Sequence, residues 1–195
     1  LANNSSLLTN EQNKYLIKYS DSVPYTNKDI NSLLNTPYLH NTEIKILNNN
    51  VPIKSGLIAL IYEGELNNKK IIIKVKRQNI KRNLYTAYKN IEYLFNILEY
   101  IPYFKLLKIK DFLIENKNML ISQTDFNNEI LNCEKMYKNC SNINYVVIPK
   151  VYPEFTKLYN DIIVMDYING NKLTDVKDDD KNEYSNLLTK YIIKC

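Results

Sequence analysis

Hydrophobic and polar positions in the middle of the chain follow the two-residue period of β-strands. The stretch 51–66 fits a hairpin whose two arms meet near Ser55-Gly56, and the polar residues 67–70 mark a turn. The next run, Ile71 to Val75, consists of β-branched residues apart from one lysine, Lys74. We therefore predict three successive antiparallel strands, the third of which carries a charge near its centre.

A lysine within a run of apolar strand residues needs an explanation, because removing its ammonium from water is costly. Lys74 could point outward from an edge strand, or its stem could extend until the ammonium reaches water. The alternative comes from the order of the elements: a strand, a small-residue loop, a strand, a turn and a strand with a central lysine. A protein-kinase amino-terminal lobe has its elements in this order. In that fold the loop covers nucleotide phosphates and the lysine contacts them.

Helical spacing predicts a helical extension over residues 1–47. An apolar stripe begins at Leu8 and predicts a first helix, which Pro24 ends. Residues 29–34 predict a second, short helix, and residues 43–47 fit either a strand or a helix end. This extension is either an accessory element packed on the lobe or ordinary scaffold.

Three further helices are predicted beyond the lysine strand. An apolar stripe predicts a long amphipathic helix that begins near Asn83 and is ended by Pro102, and 103–113 predicts a short one. A helix over 118–138 places Asp125 and Glu129 on one face, because they are four residues apart. The pair is either a solvated acidic patch or, in the kinase interpretation, the source of the glutamate that orients Lys74.

Two more strands are predicted at 145–149 and 162–170, separated by a turn at 157–161. The second strand leads into a connector that contains Gly170. A kinase has its hinge at this point, where backbone groups of Asp166, Tyr167 and Ile168 would bind adenine. Met165 would limit the depth of that pocket.

Composition fits an ordinary globular protein of one domain or a lobe and a half. The 195 residues are 45% hydrophobic and 24% charged. The net charge of +5 rests almost entirely on lysine, and the excess of Asn, Ile and Tyr is typical of an AT-rich coding sequence. We do not expect nucleic-acid binding, because no lysine cluster alternates with aromatic residues as in a known module. A basic RNA-associated protein is a third hypothesis, which a salt-dependent gel shift would test.

The cysteines and the single histidine give no metal-ligand spacing and no Ser-His or Cys-His dyad. Three cysteines without a secretory leader predict an intracellular, reducing compartment. We also expect no signal peptide, since the start lacks a basic region and an apolar core. We expect no transmembrane segment, since no uninterrupted apolar run is long enough to span a membrane. A first residue other than methionine suggests a fragment.

Five segments in order resemble the UbiB-type atypical kinases, also called aarF-domain kinases. Ile73-Lys-Val-Lys-Arg77 resembles the family's Val-Lys-Val-Gln-Arg strand, and Asp125-Phe-Asn-Asn-Glu129 resembles its acidic helix signature. The other three are the loop segment Pro52 to Tyr62, the segment Ile148 to Tyr152 and the segment Ile163 to Gly170. The resemblance covers roughly residues 7–195, and it includes an inserted set of helices between the lysine strand and the glutamate helix.

This resemblance implies roles for individual residues. Lys74 would contact nucleotide phosphate and pair with Glu129, Asp125 would belong to the acidic signature, and Ser55-Gly56 would form the phosphate-covering turn. ATP and Mg²⁺ are the implied cofactors. The implied partners, besides nucleotide, belong to isoprenoid-quinone or membrane-lipid metabolism.

The chain departs from the family pattern at several positions. Gln123 replaces the first glutamate of the acidic signature, and Lys54, Leu57 and Leu60 replace small or polar loop residues. The family's lysine-glycine-glutamine signature would precede Leu1, while its His-x-Asp loop and metal-binding aspartate would follow Cys195. This chain alone is therefore not expected to transfer phosphate.

The sequence thus predicts an α+β fold: a kinase-like amino-terminal lobe with a twisted antiparallel five-stranded sheet, inserted helices and the start of a helical second lobe. The predicted boundaries are an extension over 1–47, the lobe over 48–168 with its insertion at about 80–117, and a hinge exit with one helix over 169–195. The predicted function is an ATP-binding atypical kinase or ATPase. The alternative is a pseudokinase scaffold that binds nucleotide or a partner without catalysis.

Overall fold

The computed structural model describes residues 22–35, 43–98, 100–101, 109–170, 183–188 and 190. The predicted first helix lies outside these residues. The predicted short helix at 29–34 is observed as a 3-10 turn at Ser32–Asn35. The segment 43–47, which fitted a strand or a helix end, contains a strand at Ile44–Ile46.

A five-stranded antiparallel sheet forms the body of the molecule, as predicted. Its strands are β1 (Ile44–Ile46), β2 (Lys54–Ser55), β3 (Ala59–Leu66), β4 (Lys69–Lys76) and β5 (Ile162–Asp166). The order across the sheet is β1-β3-β4-β5, and β2 also pairs with β3. Strand β4 is therefore an inner strand, with β3 on one side and β5 on the other.

The β3–β4 connection is a two-residue hairpin turn. Asn67 and Asn68 have φ values of 50° and 60°, the left-handed conformation that a tight hairpin of this length requires. Asparagine adopts this conformation more readily than most residues because its short side chain hydrogen-bonds locally. This turn fixes the register in which Leu66 faces Lys69 and Ile61 faces Lys74.

The predicted strand at 145–149 is wrong. Proline at 149 has no amide hydrogen, and pairing with β5 begins only after it. The amide of Asp166 donates to the Lys150 carbonyl at 2.9 Å, and the amide of Tyr152 donates to the Val164 carbonyl at 2.9 Å. These bonds flank a single bridge between Val151 and Met165.

Four helices have defined bounds: α1 (Ile80–Leu98), α2 (Ile109–Ser122), α3 (Phe126–Cys140) and α4 (Pro153–Leu158). Residues 183–188 and 190, within the last predicted helix, are also helical. Part of the predicted turn at 157–161 is instead α4, which begins at Pro153, where the missing amide hydrogen costs nothing. None of the helices in the described ranges is both long and apolar enough to cross a membrane.

The single helix predicted over 118–138 is two helices. The break occurs at 123–125, because the Asp125 carboxylate accepts hydrogen bonds from the amides of Asn127 and Asn128 at 3.1 and 3.4 Å. These bonds satisfy the free amides of a new helix start, so Asp125 is the N-cap of α3. Helical periodicity alone does not reveal such a break, since the cap residue keeps the apolar spacing on both sides.

The two faces of the sheet bury different partners. One face carries the larger core, which includes Leu60 and Tyr62 of β3, Ile71, Ile73 and Val75 of β4, and Ile162 and Val164 of β5. The opposite face packs against α3 through a smaller cluster of Ala59, Phe126, Ile130, Val151 and Ile163. Because side chains alternate along a strand, Lys74 lies on the α3 face.

We predict that Gly64→Ala destabilises the sheet. A Cβ atom at this position would lie 2.7 Å from Cδ1 of Ile73 and 3.0 Å from the backbone oxygen of Lys45. The isoleucine can move but the backbone cannot, so we expect a loss of about 1–3 kcal/mol in the free energy of unfolding. Urea denaturation measures it.

Gly170→Ala is the matched control, because a Cβ there meets nothing within 4 Å. This control should change stability by less than about 0.5 kcal/mol. Equal effects of the two substitutions would contradict the close packing inferred at Gly64.

Candidate functional site

Lys74 and Glu129 form an ion pair between the inner strand and α3. The Lys74 Nζ atom lies 2.7 Å from Oε1 and 2.8 Å from Oε2 of Glu129. Both side chains keep partial contact with solvent, at 26% and 32% exposure. The strand lysine and this glutamate are thus in direct contact, while their part in nucleotide binding stays a prediction.

Packing of α3 against the sheet brings the pair together. Phe126 and Ile130 are four residues apart and both are buried on the sheet, so Glu129 lies on the same side of the helix. The Phe126 ring lies beneath the two lysines of β4, with its centroid 5.1 Å from Lys74 Nζ and 4.7 Å from Lys76 Nζ. The Lys74 ammonium is therefore held by the Phe126 ring as well as by the Glu129 carboxylate.

Asp125 and Gln123, the two positions of the acidic signature, lie at the start of α3. The Asp125 carboxylate is engaged by the amides of its own helix and by the Asn128 side-chain amide at 3.0 Å. Gln123 is exposed. In the described residues, therefore, Asp125 has the role of a helix cap, while Glu129 holds the lysine.

Ser55 and Gly56 form the turn that connects β2 with β3, as predicted. The amide of Gly56 donates to the Ala59 carbonyl at 2.9 Å, which closes the turn. The Ser55 hydroxyl points into the structure, where it donates to the Val23 carbonyl at 2.6 Å and accepts from Arg77 at 2.8 Å. Because its one hydroxyl hydrogen is already used, the serine side chain has no donor left for a phosphate.

Arg77 organises this turn, and it is the site residue that the sequence interpretation missed. Its guanidinium, only 7% exposed, donates to the carbonyls of Gly56, Pro24 and Val23 at 3.0–3.1 Å. It also lies 3.3 Å from Oδ1 of Asp29. Arg77 thus joins the residues before the sheet, the β2–β3 turn and the end of β4. The available signal was compositional, because arginine occurs only twice in this lysine-rich chain.

The residues around Arg77 favour the ionised form of Asp29. Burial by itself raises the pKa of this carboxyl, but hydrogen bonds from Thr26 and the nearby Arg77 guanidinium outweigh burial and hold the pKa below its usual value. The Arg77 guanidinium is therefore opposed by an ionised carboxylate at neutral pH.

The connector after β5 is fixed from two directions. The Asp166 carboxylate accepts from Tyr152 Oη at 2.7 Å and lies 2.8 Å from Lys69 Nζ. Lys70 lies over the Tyr167 ring, with its Nζ 4.3 Å from the centroid. Burial raises the pKa of Asp166, but the bonds from Lys69 and Tyr152 dominate and leave the pKa below its usual value.

Backbone bonding in this connector differs between neighbouring residues. The amides of Asp166 and Tyr167 donate to the carbonyls of Lys150 and Lys70 at 2.9 and 3.3 Å. The amide of Ile168 has no hydrogen-bond partner among the described residues. Met165 lies on the α3 face of the sheet, next to the smaller core cluster. Lys74 and Met165 therefore belong to the same face.

Metal-binding groups are not found in the described ranges, where no three or more His, Cys, Asp or Glu residues lie close enough to hold an ion. Cys133 is half-buried near the Lys74–Glu129 pair. Burial, and then the Glu129 charge, raise the pKa of its thiol, so the thiol is protonated at neutral pH. His40 and Cys195 lie outside the described residues.

Comparison with known proteins gives one family match and several relatives. The model of the ABC1 atypical kinase-like domain matches residues 19–195. The chain is 28% identical over 126 residues to AarF domain-containing kinase 1 of Drosophila melanogaster, across 64% of this chain and 24% of that protein. It is 22% identical over 129 residues to the chloroplastic protein ACTIVITY OF BC1 COMPLEX KINASE 8 of Arabidopsis thaliana, across 65% of this chain and 17% of that protein.

The fold has a counterpart among solved structures. The complex of Rv3197 with erythromycin from Mycobacterium tuberculosis superimposes with a TM-score of 0.51 and 14% identity, over 75% of this chain and 38% of that one. At this identity the likeness concerns the fold alone. The chain spans about a quarter or less of the length of the two kinase relatives.

We predict that Arg77→Met destabilises the protein by about 3 kcal/mol, because the carbonyls of Gly56 and Pro24 lose the guanidinium donor and the partly buried ion pair with Asp29 is broken. The Val23 carbonyl loses one of its two donors and keeps the bond from the Ser55 hydroxyl. Chemical denaturation measures the loss. Arg82→Met removes the other arginine, which is exposed, and should cost less than about 0.5 kcal/mol. If the two variants are equally stable, Arg77 does not organise the turn.

Proposed function

Because the chain belongs to the ABC1 atypical kinase-like family, we propose that it forms the nucleotide-binding part of an ATP-dependent kinase or ATPase. Lys74 binds the nucleotide phosphates, and Glu129 holds the lysine in position. The β2–β3 turn at Ser55-Gly56 covers the phosphates. The connector at Met165, Asp166, Tyr167 and Ile168 receives the adenine ring.

The bidentate contact between Lys74 and Glu129 is the observation that carries this proposal. An ammonium group has three donors, and two of them point to the oxygens of Glu129. The third is available for a ligand, and the partial exposure of the pair leaves room for one. A partly exposed ion pair contributes little to stability, so binding of an anion explains its presence better than folding does.

The bonding pattern of the connector supports one position for adenine. The amides of Asp166 and Tyr167 are already used within the protein, whereas that of Ile168 has no partner among the described residues. We propose that the Ile168 amide donates to the adenine ring. Met165 limits the depth of the pocket, since it lies on the same face of the sheet as Lys74.

The β2–β3 turn contributes backbone groups to the pocket, because the Ser55 hydroxyl is engaged with Val23 and Arg77. Arg77 keeps the turn attached to the end of the strand that carries Lys74. A phosphate beneath the turn would therefore meet a surface whose position is set before the nucleotide arrives, which lowers the cost of binding.

We further propose that Mg²⁺ accompanies the nucleotide. The described residues supply no metal-ligand set, so its protein ligands must come from other parts of the protein. The metal would neutralise phosphate charge, while this chain's residues bind and orient the nucleotide. The link to isoprenoid-quinone or membrane-lipid metabolism is likewise a proposal that rests on the resemblance.

A pseudokinase scaffold is the alternative, and one observation favours it. Gln123, where the family pattern has glutamate, is exposed and uncharged, so the acidic signature has lost one of its charges. In a pseudokinase the same pocket would bind nucleotide without phosphate transfer. Measurement of ATP turnover by the full-length protein distinguishes the two functions.

We predict that Lys74→Ala weakens ATP binding by about tenfold or more, because it removes a charged donor to the phosphates. Isothermal titration of the full-length protein with ATP, with and without Mg²⁺, measures the effect. Lys45→Ala is the control, since Lys45 is an exposed lysine of β1. The assignment fails if the wild type does not bind ATP or if the two variants bind it equally well.

Glu129→Gln should weaken ATP binding more than adenosine binding. The substitution removes the charge that orients Lys74 but leaves the connector unchanged, so only the contacts with the phosphates are weakened. Parallel titrations with ATP and adenosine give the two dissociation constants. An equal loss for both ligands, or turnover that the substitution leaves unchanged, would remove Glu129 from this role.

A further inference from the structure

We propose that the start of α1 forms a second anion-binding site, separate from the nucleotide pocket. A cavity with a volume of about 770 Å³ lies between the first turns of α1 and the residues next to Lys76 and Asp161. Neither Lys74 nor Glu129 contributes to its lining. Five basic residues do: Lys76, Arg77, Lys81, Arg82 and Lys89.

Two of these five charges are already neutralised. Lys76 Nζ lies 3.0 Å from Oδ1 of Asp161, and Arg77 is paired with Asp29. Among the described residues, Asp161 is the only acid that lines the cavity, and its other oxygen accepts from the Asn31 amide at 3.3 Å. The described lining therefore contains no further acid that could neutralise the remaining charges.

The other three cations have no acidic partner among the described residues. Lys81, Arg82 and Lys89 are exposed and take part in no ion pair there. The only acidic residue of α1 is Glu92, which does not line the cavity. An ordinary solvated helix face mixes both signs of charge, whereas this one presents a surplus of about three positive charges to a concave surface.

Helix geometry gives the spacing of these groups. Arg82, Thr86 and Lys89 follow one another at intervals of four and three residues, so they lie on one face of α1. At 1.5 Å per residue, Arg82 and Lys89 are roughly 10 Å apart along the axis. Lys117 of α2 adds a further cation near this face, because its Nζ lies 5.9 Å from the centre of the Tyr85 ring.

The remaining lining favours phosphate over other anions. Gln78, Asn79, Thr86 and Thr124 supply neutral polar groups, and the first turn of α1 contains no acidic residue that would oppose the positive end of the helix dipole. Arginine and lysine together with side-chain amide donors match the oxygens of phosphate groups. The hydroxyls of Thr86 and Thr124 are not available as donors, because they already donate to the carbonyls of Arg82 and Ile121. Cations spread over roughly 10 Å fit a ligand with two or more phosphates. A phosphorylated small molecule and a phospholipid headgroup share this chemistry.

Direct binding of inorganic tripolyphosphate to the full-length protein tests the proposal. We expect Arg82→Ala combined with Lys89→Ala to weaken binding by about tenfold, because two charged donors are lost. Lys135→Ala combined with Lys138→Ala, on the exposed surface of α3, removes the same charge elsewhere and should change binding by less than about twofold. An equal loss in both double variants would show a general charge effect and overturn the proposal.

Lys74→Ala separates this site from the nucleotide pocket. Tripolyphosphate binding that survives in Lys74→Ala supports a second site, whereas its disappearance would place the anion in the nucleotide pocket and overturn the proposal. No binding by the wild type would overturn it as well. None of these results depends on whether ATP binds.

Vesicles distinguish the two sources of phosphate. Flotation with phosphatidylcholine vesicles, with and without phosphatidic acid, tests a lipid headgroup against the free polyphosphate. Phosphatidic-acid-dependent binding that Arg82→Ala with Lys89→Ala abolishes would support a headgroup as ligand. Tripolyphosphate binding without vesicle binding would support a soluble ligand. Vesicle binding that the double variant leaves unchanged would exclude this cavity as the lipid contact.

Discussion

The register of β4 between β3 and β5 is the constraint on which the rest of the structure depends. All eight of its residues pair with β3, and the five from Ile71 to Val75 also pair with β5, so each of these five side chains has only one face available. Ile71, Ile73 and Val75 fill the larger core, and Lys74 is thereby directed at α3. A slip of one residue would exchange the two sets and place the lysine in the apolar core. Packing thus fixes the position of the Lys74 ammonium, and Glu129 forms an ion pair with it there.

A second element of the fold is the buried guanidinium of Arg77. Two segments far from it in the chain, residues 22–29 and the β2–β3 turn, offer it carbonyls and one carboxylate. Without Arg77, the carbonyls of Gly56 and Pro24 would lose this donor, and loss of a donor to a partly buried carbonyl is costly. Arg77 therefore couples the proposed phosphate-covering turn to residues that precede the sheet. The position of the turn is therefore set by contacts that form when the lobe folds.

The two anion sites proposed for this domain differ in how their cations are held before an anion binds. At Lys74 a single ammonium is held by a carboxylate and by the Phe126 ring, so its direction is defined before a ligand binds. At the start of α1, several exposed cations surround a cavity without a fixed partner, so their attraction for an anion is strong but less directed. The first arrangement suits the positioning of phosphate for chemistry. The second suits recognition through total charge, which salt weakens.

Local sequence determined much of this protein by itself. Period-two spacing and the Asn67-Asn68 turn predicted the order of the central strands, because both are short-range sequence patterns. The order of the sequence motifs predicted the Lys74–Glu129 pair, because the motifs are recognisable one by one. Tertiary structure decided the rest. The split of the predicted helix at Asp125, the missing strand before Pro149 and the role of Arg77 depend on which groups meet across the fold. Arg77 binds residues more than fifty positions away, and no local periodicity encodes such a contact.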